Sequence, residues 1–125
     1  PKDVQKRVVW KSEYWLTDEA LSTYLQSAGL FGLEQHSPIM CIGNGIPALL
    51  GRFREQTTKG FMWKDIGLSD WYFDSDSKFD MDRLTAAVLE LANDPQGCIE
   101  RAKKAQNYVN SLNQKCVGQV RRNIT

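Results

Sequence analysis

Apolar positions along the chain fall into short runs, and the spacing within each run alternates between strand-like and helix-like. Lys6-Arg7-Val8-Val9-Trp10 reads as a short strand. Thr17 offers an N-cap, Asp18 and Glu19 follow where a helix dipole favours acids, and Ala20, Leu21, Tyr24 and Leu25 recur at helical spacing. Ala28 to Leu33 is small and nearly unbroken in apolarity, which suits a strand covered on both faces. Ser37 can cap the next helix, Pro38 fits its first turn, Ile39, Met40 and Ile42 carry it, and Gly43-Asn44-Gly45 ends it.

Pro47 to Leu50 predicts a further strand, Thr57-Thr58 a turn into a compact helix through Phe61, Met62 and Trp63 that closes near Gly67, and Trp71-Tyr72-Phe73 a fourth strand. Two helices complete the pattern. Asp80 caps the first, with Leu84, Ala87, Val88 and Leu91 on its apolar face, and Asn93-Asp94-Pro95 breaks it. The second places Ile99, Ala102, Ala105, Val109, Leu112 and Cys116 on one stripe, with Arg101, Lys103 and Lys104 outside. Strands alternating with helices over short connections predict an α/β fold: a Rossmann-like parallel sheet of about four strands, helices on both faces and a C-terminal helical pair. Residues 1–125 form one domain by length, and so small a sheet, together with a start at Pro1, predicts the C-terminal domain of a longer, two-domain chain.

Composition narrows the function more than it names it. A net charge of +1 gives no electrostatic footprint for nucleic acid, and Arg121-Arg122 supports at most peripheral contact with a membrane. Cys41, Cys98 and Cys116 are too widely spaced for a metal motif and odd in number, which predicts buried free thiols in a reducing cytoplasm. Asp74, Asp76 and Asp80 lack the glycine and closing glutamate of a calcium loop, so capping and solvation account for them. No cofactor motif is present; Gly43-Asn44-Gly45 follows a helix rather than a strand and reads as a helix stop.

Candidate chemistry collects around the sole histidine. In an open parallel sheet ligands bind beyond the carboxyl ends of the strands, and Glu34, Gln35 and His36 stand at such an end, before a helix N-terminus expected to offer unpaired N–H groups to an anion. His36 there either makes a local hydrogen bond or moves a proton for a ligand. Arg52 and Arg54 lie past the next strand, and Gln56, Thr57, Thr58 and Lys59 follow in reach of the same edge. Among Trp10, Tyr14, Trp15, Trp63 and Trp71 most are expected in the core, with Trp15 and Trp63 as candidate platforms for a sugar ring.

At these residues the chain resembles the C-terminal domain of the polysaccharide pyruvyl transferase family. The likeness rests on Leu33-Glu34-Gln35-His36-Ser37-Pro38-Ile39-Met40, Gly45-Ile46-Pro47-Ala48, Lys59 and Asp65-Ile66-Gly67-Leu68, in that order, over about Ala28 to Phe73. It implies one half of a GT-B-like protein of the cytoplasm, with the site in a cleft between two domains. It implies as well transfer of the pyruvyl group of phosphoenolpyruvate to a saccharide acceptor of a cell-surface polysaccharide. His36 would then be catalytic, contacting or protonating the donor, with Glu34, Gln35, Ser37, Arg52, Gln56 and Lys59 binding substrate. The family pattern carries arginine where this chain has Glu34. A carboxylate there would repel phosphoenolpyruvate, so that Lys59, Arg52 or Arg54 holds the anion, or the ligand differs. The alternatives are a GT-B-type glycosyltransferase domain using a nucleotide-sugar donor and a non-catalytic sugar-binding domain.

Overall fold

The computed structural model describes residues 1–124. A single turn, α1 (Lys2–Gln5), leads into an extended segment and then α2 (Thr17–Leu25). The centre of the chain holds β1 (Leu30–Gly32), α3 (His36–Gly43), β2 (Ala48–Arg52), α4 (Met62–Asp65) and β3 (Tyr72–Asp74), with short 3-10 turns at Arg54–Gln56 and Ser69–Trp71. Two helices follow, α5 (Lys78–Asn93) and α6 (Pro95–Ile124). The sheet has three strands in the order β1-β2-β3, all parallel. It is therefore α/β with a parallel sheet, as the pattern predicts, but one strand smaller.

The missing strand is Lys6 to Trp10. A strand survives only where its N–H and C=O groups pair and its apolar side chains are covered. Among the described residues no strand pairs with this segment, and Val9 and Trp10 are 94 % and 85 % exposed. Tyr14 is fully exposed too, which corrects its assignment, with that of Trp10, to the core.

The core is organised on β2. Ala48, Leu49 and Leu50 are buried in succession, and because neighbouring strand residues point to opposite faces, both faces of this strand are covered. Trp63, fully buried in α4, donates its indole N–H to the Ala48 carbonyl at 3.3 Å, which ties the compact helix to the central strand. Trp63 is thus core and not a sugar platform. Trp15 is only partly covered, tilted against Tyr24 with ring centroids 6.0 Å apart. Gly29, just before β1, lies against Leu91, so α5 runs from β3 back to the start of β1.

Helix ends differ from the expectations by one or two residues, for identifiable reasons. Ser77 caps α5 by accepting from the Asp80 N–H at 3.3 Å, and the Asp80 carboxylate instead receives the Asp74 N–H at 2.8 Å. Asp94 breaks α5 and caps α6, accepting from the Gly97 N–H at 3.0 Å. At about 1.5 Å per residue α6 is about 45 Å long. It is buried at Cys98, Ala102 and Ala105; Val109 is partly exposed on a cavity it shares with Ile39, Ile42 and Trp63, and Leu112 and Cys116 further along are exposed. Cys116 is therefore not the buried thiol expected, unlike Cys41 and Cys98, where burial raises the thiol pKa, in Cys41 to about 11.

Candidate functional site at the carboxyl edge of the sheet

Strand register sets the site. Gly32 at the end of β1 is level with Leu50, whereas β2 continues to Arg52, level with Asp74. The chain leaving β1 therefore turns into α3 beside the last two residues of β2. In the angle between them lies a cavity of about 340 Å³ lined by Leu33, Glu34, Gln35, His36, Leu50, Arg52, Gln56, Lys59 and Gly60. Of the candidate site residues it brings together Glu34, Gln35, His36, Arg52, Gln56 and Lys59. Ser37 is outside it, its hydroxyl accepting from the Tyr24 phenol at 2.9 Å.

The helix terminus is arranged differently from the expectation. Helix α3 starts at His36, one residue before Ser37, with Gln35 in the N-cap position and no cap from the Ser37 side chain. Glu34 folds back instead: Oε2 accepts from the His36 N–H at 2.7 Å and Oε1 from the Ser37 N–H at 2.5 Å. Pro38 has no N–H, and the Ile39 N–H donates to the Gln35 carbonyl at 3.1 Å. The first turn thus has no donor left over. A carboxylate of the chain itself occupies the place where a phosphate was expected, because the partial positive charge of a helix start favours any nearby anion.

Glu34 also holds the imidazole. Its Oε2 is 3.2 Å from His36 Nδ1, and the His36 side chain is otherwise 92 % exposed. Burial pushes the Glu34 pKa up, but hydrogen bonds from the side chain and backbone of Ser37 and the backbone of His36, with the charge of His36, outweigh it and leave the group below its ordinary value. With Nδ1 turned to the carboxylate, Nε2 is the ring atom left open to exchange a proton with a ligand.

The facing wall comes from the loop after β2. Gln56 braces it, accepting from the Phe53 N–H at 2.9 Å and donating to the Leu33 carbonyl at 3.1 Å, so its amide joins the two walls. Gln35 is likewise engaged, with Met62 Sδ at 3.6 Å. Arg52 donates to the Thr57 carbonyl, and its Nε is buried without an acceptor. Lys59 is exposed at the rim. Arg54 points away from this cavity: its N–H goes to Asp76 at 2.9 Å and its Nε lies 4.0 Å from Asp74.

Gly60 was not expected as part of the site. Its φ is +85°, and a Cβ there would fall 2.7 Å from Leu50 Cδ2 and 2.9 Å from Tyr72 Cε2. Only glycine lets the loop lie this close to β2 and β3 while presenting Lys59 outward. The signal in the sequence is the glycine that directly follows Lys59 at the end of a polar turn.

The Asp74, Asp76 and Asp80 carboxylates accept backbone N–H groups from Asp76, Arg54 and Asp74. Among the described residues no group of acidic, histidine or cysteine side chains is placed to hold a metal ion, and no helix is long and apolar enough to cross a membrane. No family model matches the chain, and no curated protein or solved structure does.

Proposed function

We propose that this chain supplies the donor-binding wall of a polysaccharide pyruvyl transferase-like enzyme, which moves the pyruvyl group of phosphoenolpyruvate onto a saccharide. The observation that carries the reading is the cavity itself: a histidine held by a carboxylate on one side, and Arg52 with Lys59 on the other. The two walls divide the work. Lys59 and Arg52 attract the donor anion, and the His36 Nε2–H faces it as a proton source.

In the proposed reaction the methylene carbon of the enolpyruvyl group takes a proton from His36. Two saccharide oxygens bond to the adjacent carbon while its bond to the phosphate oxygen breaks. Of the two hydroxyl protons released, one restores His36 and the other leaves with phosphate. Glu34 acts as a positioning residue through the imidazole. Its carboxylate is committed to α3 and His36, which removes the repulsion expected of an unpaired acid and leaves it no free edge for the ribose of a nucleotide sugar.

One wall supplies only part of the orientation that makes a bimolecular reaction fast, so the 125 residues alone are expected to turn over very slowly. Robust turnover by them would contradict the division of the site between two domains. Phosphate release from phosphoenolpyruvate, with a saccharide acceptor and the second domain present, tests the chemistry. His36→Gln is expected to lower kcat by about 10²–10⁴ with little change in KM, as loss of a general acid does. Equal rates in the variant and the parent would overturn the assignment.

A further inference from the structure

Beside Arg52 lies a second cavity, of about 310 Å³, whose lining includes Arg52, Phe61, Lys64 and Tyr72 with Asp74, Asp80 and Arg83. Its charges pair unevenly. Asp80 is engaged on both oxygens, by Arg83 at 2.8 Å and by the Asp74 N–H. Asp74 likewise receives the Asp76 N–H and faces Arg54. Arg83 is therefore satisfied. Arg52 and Lys64 are not: neither is within ion-pair distance of a carboxylate among the described residues.

Yet these two cations converge on the same pair of rings. The Arg52 guanidinium is 5.1 Å from the centroid of Phe61 and 5.9 Å from that of Tyr72, and the Lys64 ammonium is 5.0 and 5.3 Å from them. Ring faces attract each cation, but they do nothing to relieve the repulsion between the two.

Two further donors stand idle in the same place. Tyr72 is only 8 % exposed, and its buried hydroxyl has no hydrogen-bond partner; the Nε–H of Arg52 has none either. Buried polar groups are ordinarily paired, and one left unpaired forfeits the hydrogen bond it made to water. The Arg52 guanidinium leans on the phenol oxygen closely enough to lower its pKa as a donor, although the contact does not reach hydrogen-bond geometry, and the phenol O–H itself has no acceptor. Burial raises the Tyr72 pKa, with Arg52 opposing and Asp74 and Asp80 adding to the rise, so the phenol keeps its proton and can donate.

We propose that this cavity is an oxyanion subsite for a phosphoryl group, held by the Arg52 guanidinium, the Lys64 ammonium and the Tyr72 hydroxyl. Two unpaired cations and an idle hydroxyl, held by separate elements, suit the three oxygens of a phosphoryl group better than a carboxylate. The subsite stands on its own residues and does not depend on the transfer chemistry proposed for His36. Arg52 is the one side chain common to the two cavities, so a phosphoryl group seated here lies next to the ligand of the other.

The test is a titration with inorganic phosphate, followed on two sets of ring signals in NMR: Tyr72 and Phe61 for the subsite, and the single imidazole for the other cavity. Tyr72 and Phe61 are expected to shift with a millimolar midpoint. Lys64→Met, at an exposed position that folding does not need, should weaken that midpoint about tenfold and leave the imidazole response unchanged. Tyr72→Phe, read through Phe61, should weaken it by a similar factor. A parallel titration with methyl phosphate distinguishes an esterified phosphoryl group from the free ion by which binds tighter. Rings that ignore both ligands, or a midpoint unmoved by Lys64→Met and Tyr72→Phe, overturn the proposal. A silent imidazole with responding rings upholds the subsite and counts against the donor cavity.

Discussion

The two walls of the first cavity carry opposite charge and are built in opposite ways. The Glu34–His36 wall is short-range: a carboxylate caps the helix two residues on and lies beside the ring, so the backbone donors of the helix start have local partners and Nε2 alone is left open. The Arg52–Lys59 wall is long-range. It depends on a strand end, a loop braced by Gln56 and a glycine wedged against two strands, and its cations have no carboxylate partners among the described residues. The first wall is finished without a ligand. The second is not, and that difference indicates which wall an anion would meet.

The sharpest way to break the comparison is to disturb the wall that depends on distant contacts. Gly60→Val forces a side chain into a left-handed backbone position and onto Leu50 and Tyr72, and is expected to cost about 3 kcal/mol of stability. Gly43→Ala, with nothing within 4 Å of the added carbon, is expected to be neutral or slightly stabilising. Urea denaturation of the two variants checks both; equal midpoints would show that the loop is not wedged as described.

A smaller effect belongs to the local wall. Glu34→Ala removes the cap of α3 and should cost about 1 kcal/mol at neutral pH. Because the folded-state pKa of Glu34 is lowered, its contribution is fully present above the ordinary value of 4.5 and is lost as pH falls through the lowered value. The stability difference between parent and variant should therefore be constant near neutrality and shrink in acid. A difference that grows in acid would reverse the sign of the assignment. The smallest effect lies outside both walls: Trp10→Ala, at an exposed residue with no strand partner, is expected to stay within about 0.5 kcal/mol.

How far the sequence revealed this arrangement depends on the range of the interactions. β2 was legible as the apolar run Pro47 to Leu50, one residue early at its start and two short at its end, because burial on both faces demands such a run. The grouping of Glu34 to His36 with Arg52, Gln56 and Lys59 was legible from their common place after two strands. Val8-Val9-Trp10 has the composition of a strand, but composition does not supply a neighbour to pair with.

The cap was misread because Ser37 is the better cap by type, while Glu34 wins by reach: two residues earlier, it spans both free N–H groups. An acid just ahead of a helix start is the signal that would have found it. The meeting of Arg52, Lys64 and Tyr72 left no trace in the pattern, since it depends on the register of β3 against β2 and on the left-handed turn at Gly60. The stripe on α6 was visible, but spacing alone does not tell where the body beneath it ends.

The most direct test of the division between the walls uses the fact that the chain has one histidine, and so one imidazole signal. Phosphoenolpyruvate is titrated into the parent, Lys59→Ala and Glu34→Gln while that signal is followed by NMR. The account predicts a saturable shift in the parent. It predicts an affinity about tenfold weaker in Lys59→Ala, the loss of one charge-assisted contact, and an affinity within about threefold of the parent in Glu34→Gln, whose amide oxygen can still cap the helix. An imidazole that ignores phosphoenolpyruvate, or an affinity that follows Glu34 and not Lys59, would contradict it.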